Sequence, residues 1–212
     1  MFDPIKARND KAGPKVVEAL QKRHFEAYYV STAAEAADKV MELIPKDHVV
    51  SWGGTMTIDQ LGVKQRLAEE GYQVIDRDTA ANMEERVALM RQALLCDTFL
   101  MSANAISEDG QLFNIDGNGN RVGALCYGPK SVIVVAGMNK VAGTLADAVA
   151  RARHYAAPAN AQRFPLKTPC LAGGLCGDCT SPDCVCAQMV TTRVSRPAGR
   201  IKVILVGEEL GI

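Results

Sequence analysis

The run Ser131–Ala136 is the sequence feature that most constrains the fold. It reads Ser-Val-Ile-Val-Val-Ala, with no polar side chain after its first residue. A strand with one solvated face alternates apolar and polar side chains, whereas a strand covered on both faces is apolar throughout. Shorter strand-like runs, such as His48–Trp52 and Asp97–Met101, alternate with helical patterns along the chain up to about residue 150. This alternation predicts an α/β fold of the Rossmann-like type, in which helices cover both faces of a mostly parallel sheet.

Residues that cap helices and turns mark the element boundaries. Three pairs have the capping-box spacing and predict helix starts: Thr32–Glu35, Thr57–Gln60 and Thr144–Asp147. Pro14 suits a first helical position, so we expect the first helix to begin there. The segments 111–115 and 121–127 flank the turn-rich sequence Asp-Gly-Asn-Gly-Asn, which predicts a β-hairpin.

Charge and hydropathy exclude several functions. Lysine and arginine total 24 and aspartate and glutamate total 24, so the formal net charge is zero. Nucleic-acid binding requires a basic surface, so we expect no nucleic-acid partner. The longest apolar run, Val132–Met138, is far shorter than the roughly 20 residues that span a bilayer. The N-terminal residues lack the apolar stretch of a secretory signal, so we expect no membrane span and a cytoplasmic location.

A dense group of cysteines is the most informative feature for function. Five of the seven cysteines fall between residues 170 and 186: Cys170, Cys176, Cys179, Cys184 and Cys186. In a reducing compartment such a cluster indicates a metal or redox site. The Cys176-x2-Cys179 pair can chelate one centre, and Cys170 with either Cys184 or Cys186 completes four thiolates. Four thiolates suit a structural Zn2+ and a 4Fe–4S cluster equally well.

The chain divides into three segments on this basis. Residues 1–162 form the α/β core, residues 163–188 form a cysteine-rich metal-binding loop (the cysteine loop), and residues 189–212 supply two terminal strands that return to the core. The whole is expected to be a single domain. Cys96 and Cys126 lie in apolar elements outside the loop, so we expect them to pack in the core.

A strand end followed by glycines is a candidate ligand site. His48–Trp52 runs directly into Gly53, Gly54 and Thr55, after which a helix is expected. Backbone amides and the helix dipole at such a point can hold a small anion such as a phosphate. Open α/β sheets bind ligands at the carboxyl ends of their strands. A simple chain-reversing turn is the alternative.

The polar stretch after Met101 is a second candidate. Its expected substrate-binding residues are Asn104, Asn114, Asp116, Gly117, Asn118 and Asn120. Glu108 is available there as a nucleophile or general base. The alternative is a hairpin with solvated turns, because turns use the same residue types. That alternative explains residues 116–120 but not residues 104–108.

Taken together, these motifs resemble the LUD-domain family, the lactate utilization proteins. The segments that resemble the family are Trp52-Gly-Gly-Thr-Met-Thr57, Asn104–Gly110, Asn114–Arg121, Gly128-Pro-Lys130, Ala156–Asn160 and Val206–Gly211. The resemblance implies a sheet of the NagB/RpiA/CoA-transferase type. Ser107-Glu-Asp-Gly110 is also similar to the Ser-Glu-Asn-Gly motif of CoA transferases, in which the glutamate is the nucleophile.

The same resemblance implies a ligand set and a role. The family's pattern Cys-x5-Cys-x2-Cys-x6-Cys falls on Cys170, Cys176, Cys179 and Cys186, which leaves Cys184 as an extra thiol. The resemblance implies an iron–sulfur protein that acts in the oxidation of lactate to pyruvate, together with other iron–sulfur or oxidoreductase subunits.

Two hypotheses for function follow. The first is a 4Fe–4S accessory or electron-transfer protein of lactate utilization. The second is an enzyme that acts on a small phosphorylated or CoA-linked substrate, with a structural zinc in the cysteine loop. The sequence leaves the substrate, the catalytic status of the chain and the oligomeric state open, a homo-oligomer included.

Overall fold

The computed structural model describes residues 2–212. The ten strands are β1 (Glu26–Val30), β2 (Val49–Trp52), β3 (Gln73–Ile75), β4 (Thr98–Met101), β5 (Ala105–Ser107), β6 (Leu112–Asp116), β7 (Ser131–Gly137), β8 (Val141–Ala142), β9 (Gln188–Thr192) and β10 (Ile201–Val206). The α-helices are α1 (Pro4–Lys22), α2 (Ala33–Glu42), α3 (Met56–Gln60), α4 (Val63–Glu69), α5 (Met83–Gln92), α6 (Asn120–Cys126), α7 (Leu145–Arg151), α8 (Ala157–Ala161) and α9 (Pro169–Gly173). A π-helical segment, Ala152–Ala156, joins α7 to α8.

Six strands form one parallel sheet in the order β1-β10-β7-β4-β2-β3. Every residue of β7 is buried, as expected for a strand covered on both faces. One face of the sheet packs against α1 and α6 through side chains such as Val17, Val134 and Leu125. The other face packs against α2, α3 and α4 through side chains such as Val40 and Ile133. The predicted α/β architecture is therefore confirmed.

The four remaining strands form a smaller sheet in the order β8-β5-β6-β9. The two terminal strands of the chain separate here, because β9 joins this smaller sheet while β10 lies between β1 and β7 in the large one. The cysteine loop runs between α8, which packs beside the smaller sheet, and β9, an edge strand of that sheet. No helix within residues 2–212 combines the length and apolarity needed to cross a membrane.

The predicted hairpin is wrong. The first segment is a strand, β6, but the residues after the turn form α6 instead of a second strand. The Asp116 carboxylate accepts hydrogen bonds from the backbone amides of Arg121 (2.9 Å) and Val122 (3.1 Å). This side chain satisfies donors in the first turn of α6, which have no partner within the helix. β6 pairs with β5 and β9 instead.

The predicted helix starts have mixed outcomes. The capping boxes Thr32–Glu35 and Thr144–Asp147 are both present. The pair Thr57–Gln60 is not a capping box, because α3 begins after Thr55, without a side-chain cap.

The first helix begins at Pro4 rather than at Pro14, which lies inside it. The carboxylate of Asp3 caps this helix by accepting from the amides of Ile5 (2.9 Å) and Lys6 (3.0 Å). A proline is equally suited to the first turn at either position, so the cap decides where the helix starts.

Candidate functional site

A cleft of about 750 Å3 lies at the carboxyl ends of the parallel strands. Thr55 follows β2, Arg77 follows β3, Ser102 follows β4 and Lys140 follows β7, and all four line this cleft. Open α/β sheets bind ligands at this edge. The volume falls within the range of roughly 300–1,000 Å3 that is typical of small-molecule sites.

Lys140 lies on the wall of the cleft and is almost fully buried, with 3% of its surface exposed. Its Nζ donates to the Thr57 Oγ1 at 3.0 Å and to the Ser102 Oγ at 2.9 Å. None of the ion pairs found within residues 2–212 includes Lys140. Burial, and after it the positive charges of Arg151 and Arg121, lower the pKa of Lys140 to about 7. Near neutral pH the site therefore holds both the ammonium and the free amine.

The two glycines after β2 make room for arginine side chains. A Cβ on Gly53 would lie 2.7 Å from the Cδ of Arg121, and a Cβ on Gly54 would lie 2.4 Å from the Nη2 of Arg77. Because α3 is a helix of only five residues, it contributes little dipole. Two guanidinium side chains therefore lie against the glycines that follow β2.

The two arginines differ in their hydrogen bonding. Arg121 is held by protein acceptors: its Nη2 donates to the Ile115 carbonyl at 2.5 Å and to the Asn104 Oδ1 at 3.2 Å. The Nε of Arg77 is buried and has no hydrogen-bond partner, and the Oδ1 of Asp78 lies 3.8 Å away from it. Burial lowers the pKa of both guanidinium groups. Arg77 and Lys140 are thus two of the cations that line the cleft, which also include Lys64, Arg86, Arg121 and Arg163.

Most of the predicted substrate-binding residues come together here. Those that line the cleft are Gly54, Thr55, Asn104, Asp116, Gly117, Asn118 and Asn120. Gly53 lies beneath Arg121 instead. Asn114 is fully buried in β6 and is not among the lining residues, and its side-chain amide has no hydrogen-bond partner.

Glu108 lies away from the cleft. Its carboxylate is half exposed, and its Oε1 is 3.7 Å from the Nη2 of Arg8 on α1. It borders a separate surface groove beside that helix. The structure thus does not bring Glu108 together with Gly53 and Gly54, as the hypothesis of a catalytic carboxylate in that pocket requires.

The cysteine loop forms part of the cleft wall through Cys184 and Val185. Val185 and Cys186 also pack against a small core that contains Phe113 and Ala157. Burial, and after it the nearby thiol groups of Cys184, Cys176 and Cys179, raise the pKa of Cys186 to about 11. All seven cysteines of the chain are unbridged.

The donor set of the loop suits a metal that binds thiolates, since iron–sulfur clusters and structural zinc both take cysteine ligands. Cys184, Cys176 and Cys179 lie near enough to Cys186 to contribute to its raised pKa. In the described part of the chain, no three His, Cys, Asp or Glu side chains are grouped as a metal site.

The two cysteines outside the loop differ from each other. Cys96 is buried, as expected, and burial raises its pKa to about 12. Cys126 is exposed at the end of α6, so the prediction that it packs in the core is wrong. Cys126 ends a helix, α6, whose buried residues are Val122, Ala124 and Leu125, so it falls on the solvated side of that helix.

The arrangement can bind an anion and accept a proton. In its charged form Lys140, together with Arg77, attracts negatively charged groups. In its neutral form Lys140 is an amine in hydrogen-bond contact with two hydroxyls, and a positioned amine with a pKa near the working pH is suited to general base catalysis.

Sequence reasoning missed Lys140, Arg77 and Arg121. The sequence could have indicated Lys140 as a ligand-site residue, because it comes a few residues after the most strand-like run of the chain. Ligands bind at the edge where such strands end. Arg77 likewise follows a strand, β3, but that strand is only three residues long and is harder to predict from sequence.

Comparisons with known proteins agree with this fold. A family model described as the LUD domain matches residues 13–206. The crystal structure of a DUF162-family protein from Deinococcus radiodurans is 13% identical, with a TM-score of 0.55 over 93% of this chain and 98% of that chain. Ribose 5-phosphate isomerase A from Neisseria gonorrhoeae gives a TM-score of only 0.34 at 15% identity, over 53% of this chain and 54% of that chain. No curated protein matches the chain.

Proposed function

For this chain, which belongs to the LUD-domain family, we propose that the cleft at the strand ends binds a small anion of the phosphorylated or CoA-linked class. The observation that carries the proposal is Lys140, a buried cation whose partners are the hydroxyls of Thr57 and Ser102. A buried charge is costly unless an opposite charge compensates it. A ligand anion supplies that charge.

Two further features support this class of ligand. Arg77 lines the same cleft, and a phosphate group presents several acceptor oxygens to two cations at once. The cleft volume of about 750 Å3 is much larger than an anion as small as lactate. A ligand that fills it needs a sizeable group in addition to its anionic end.

Isothermal calorimetry with pyrophosphate, coenzyme A and lactate tests the proposal. We expect pyrophosphate and coenzyme A to bind more tightly than lactate. Gly54→Ala is expected to displace the flexible end of Arg77 and to weaken pyrophosphate binding about tenfold, or about 1.4 kcal/mol. Gly173→Ala is the matched control, because a Cβ at that position meets no atom within 4 Å. Unchanged affinity in Gly54→Ala, or no binding of any of the three compounds, would contradict the proposal.

A second candidate function is electron transfer, and the number and spacing of the loop cysteines in the sequence support it. Cys170, Cys176, Cys179 and Cys186, with Cys184 as an alternate, are the residues that would hold a 4Fe–4S cluster. When bound, such a cluster transfers single electrons, whereas zinc would only order the loop. In this role the protein would work with other iron–sulfur or oxidoreductase subunits in the oxidation of lactate to pyruvate.

Metal analysis of anaerobically purified protein separates these roles. We expect iron and acid-labile sulfide in equal amounts, a brown colour and an EPR signal after reduction. Cys176→Ser should lose most of the iron, because the Cys176-x2-Cys179 pair chelates the centre. Cys126→Ser should retain it, because Cys126 is exposed and outside the loop. A colourless protein with one zinc per chain would rule out electron transfer and leave a structural metal.

A further inference from the structure

Three buried polar side chains meet at the carboxyl edge of the large sheet. Ser102 directly follows β4, Lys140 ends the short turn after β7, and Thr57 belongs to α3. The Nζ of Lys140 lies 2.9 Å from the Ser102 Oγ and 3.0 Å from the Thr57 Oγ1, and the two hydroxyl oxygens are 3.3 Å apart. Ser102 and Lys140 line the cleft, whereas Thr57 is fully buried. A hydroxyl and an amine are thus in direct contact on the wall of the ligand site.

No carboxylate holds Lys140 in its charged form. The ion pairs within residues 2–212 do not include this side chain. The charged groups that act on it are Arg151 of α7 and Arg121 of α6, and both oppose a positive charge there. Burial, followed by these two arginines, lowers the pKa of Lys140 to about 7. A lysine accepts a proton only as the free amine, and at neutral pH that form is abundant in this protein.

Gly211 covers one side of this amine. Its backbone amide donates to the Gln60 Oε1 at 2.7 Å, which holds the residue against α3. A Cβ on Gly211 would lie 3.1 Å from the Lys140 Nζ and 2.6 Å from the Thr57 Oγ1. The backbone therefore approaches the amine more closely than a side chain would allow. Exclusion of water at this point favours the neutral amine over the ammonium.

We propose that Ser102 is a nucleophile and Lys140 its general base, and that together they accept an acyl group from a thioester bound in the cleft. An activated nucleophile has a base within about 2.6–3.2 Å and a third group that orients the base. Thr57 is that positioning residue. Serine–lysine pairs act in this way on unrelated folds. The substrate class rests on the proposed function, because an acylated CoA-linked ligand is a thioester.

The proposed reaction has two steps and needs only water as a second reactant. First, the Ser102 Oγ bonds to the acyl carbon, its proton passes to the Lys140 amine, and the carbon–sulfur bond breaks. The departing thiolate takes the proton from Lys140, which leaves an acyl-serine and a free thiol. Water then attacks the acyl carbon while Lys140 takes a proton from it and returns that proton to the departing Ser102 oxygen. The products are a carboxylic acid and a thiol, and both side chains are restored.

Anion binding and proton transfer use different forms of Lys140. A free phosphate or sulfate holds Lys140 as the ammonium, which cannot take the proton of Ser102. A thioester brings an uncharged carbonyl to this point, and other cations of the cleft, such as Arg77 and Arg86, are available for its phosphate groups. Negative charge develops on the carbonyl oxygen only as Lys140 gains its proton. We therefore expect free anions to inhibit the reaction.

Diisopropyl fluorophosphate tests the nucleophile without a bound anion. It forms a stable ester with an activated serine oxygen as fluoride leaves, and peptide mass spectrometry locates the ester. We expect one label per chain, on Ser102, at a rate that rises about tenfold from pH 6 to pH 8 as Lys140 loses its proton. Sulfate should slow the labelling. An unlabelled Ser102, or label spread over several serines, would overturn the inference.

A serine elsewhere in the large sheet supplies the matched control. Ser131 is also buried, and its hydroxyl has no hydrogen-bond partner within residues 2–212. Ser131→Ala should therefore be labelled like the unmodified protein, whereas Ser102→Ala should take up no label.

Variants of Lys140 and Thr57 test the base and its positioning. Lys140→Met should slow the labelling of Ser102 at least about 100-fold and remove its pH dependence, because no base remains. Lys130→Met should behave like the unmodified protein, since that side chain is 86% exposed. Thr57→Val should slow labelling several-fold, and Thr57→Ser, which keeps the hydroxyl, should restore it. Equal labelling rates in Lys140→Met and Lys130→Met would overturn the role of Lys140 as the base.

Acetyl-coenzyme A tests the substrate class. We expect the protein to release coenzyme A from it, as measured by chromatography, and Ser102→Ala to lose this activity at least about 100-fold while calorimetry still detects coenzyme A binding. Binding of coenzyme A without hydrolysis of acetyl-coenzyme A would overturn the inference and leave the proposed function standing. A labelled Ser102 in a protein that does not bind coenzyme A would instead refute the CoA-linked ligand, and the thioester substrate with it.

Discussion

Replacing Lys140 by methionine is expected to stabilise the protein at neutral pH and to abolish its binding of phosphate. Methionine matches the length of the apolar stem and removes a buried charge that lacks a carboxylate partner. Replacing buried charges by apolar residues of similar volume commonly stabilises proteins by about 1–4 kcal/mol. The same change removes a cation of the anion site, so stability and binding move in opposite directions.

The stabilisation has a characteristic pH dependence. The pKa of Lys140 is about 7 in the folded protein and about 10.4 in an unfolded chain. Between these values the unfolded state binds more protons, so the free energy of unfolding rises with pH over that window. The advantage of Lys140→Met is therefore largest below pH 7 and shrinks towards pH 10.

Urea denaturation of both proteins at several pH values between 6 and 10 measures this effect. Lys130→Met is the control, because its side chain is 86% exposed and a surface change there should alter stability by no more than about 0.5 kcal/mol. A Lys140→Met protein that is less stable at every pH, or that still binds phosphate normally, would refute the role given to Lys140.

The affinity of the cleft for anions is expected to fall steeply above pH 7. An anion stabilises the ammonium form of Lys140, so binding takes up a proton whenever the free site is deprotonated. Each pH unit above about 7 should then weaken binding by close to tenfold, until the pKa of the occupied site is reached. From pH 7 to pH 9 the expected loss is about 50-fold, because half of the free site is already deprotonated at pH 7.

Sulfate is the appropriate probe for this series, because its own charge does not change over the range. Calorimetry at pH 8 in two buffers with different ionisation enthalpies should report uptake of close to one proton per sulfate bound. The control variant Lys130→Met should show the same pH dependence of sulfate affinity as the unmodified protein. An affinity that does not change between pH 7 and pH 9, or equal heats in the two buffers, would exclude Lys140 as the anion-binding cation.

The candidate site could be predicted only in part. The polar residues around Asn104 and Asp116 were recognised because they follow a strand, and most of them do line the cleft. Glu108 was selected from a short motif, and β5 carries it to the side of the molecule where α1 packs. Gly53 and Gly54 were recognised as a candidate site, but a sequence does not show that Arg77, 23 residues after Gly54, and Arg121, 68 residues after Gly53, would lie against these glycines.

Local patterns determined the architecture of this protein from sequence alone. The apolar run of β7, the capping boxes of α2 and α7, and the gathering of cysteines in one loop each depend on residues close together in the chain. Tertiary structure alone decided the properties of Lys140, whose partners Thr57 and Ser102 lie 83 and 38 residues away. It also decided that the cysteine loop packs on Gly117 and forms part of the cleft wall. The reason is physical: periodicity and capping act within a few residues, whereas burial, charge pairing and pKa depend on which distant segments surround a side chain.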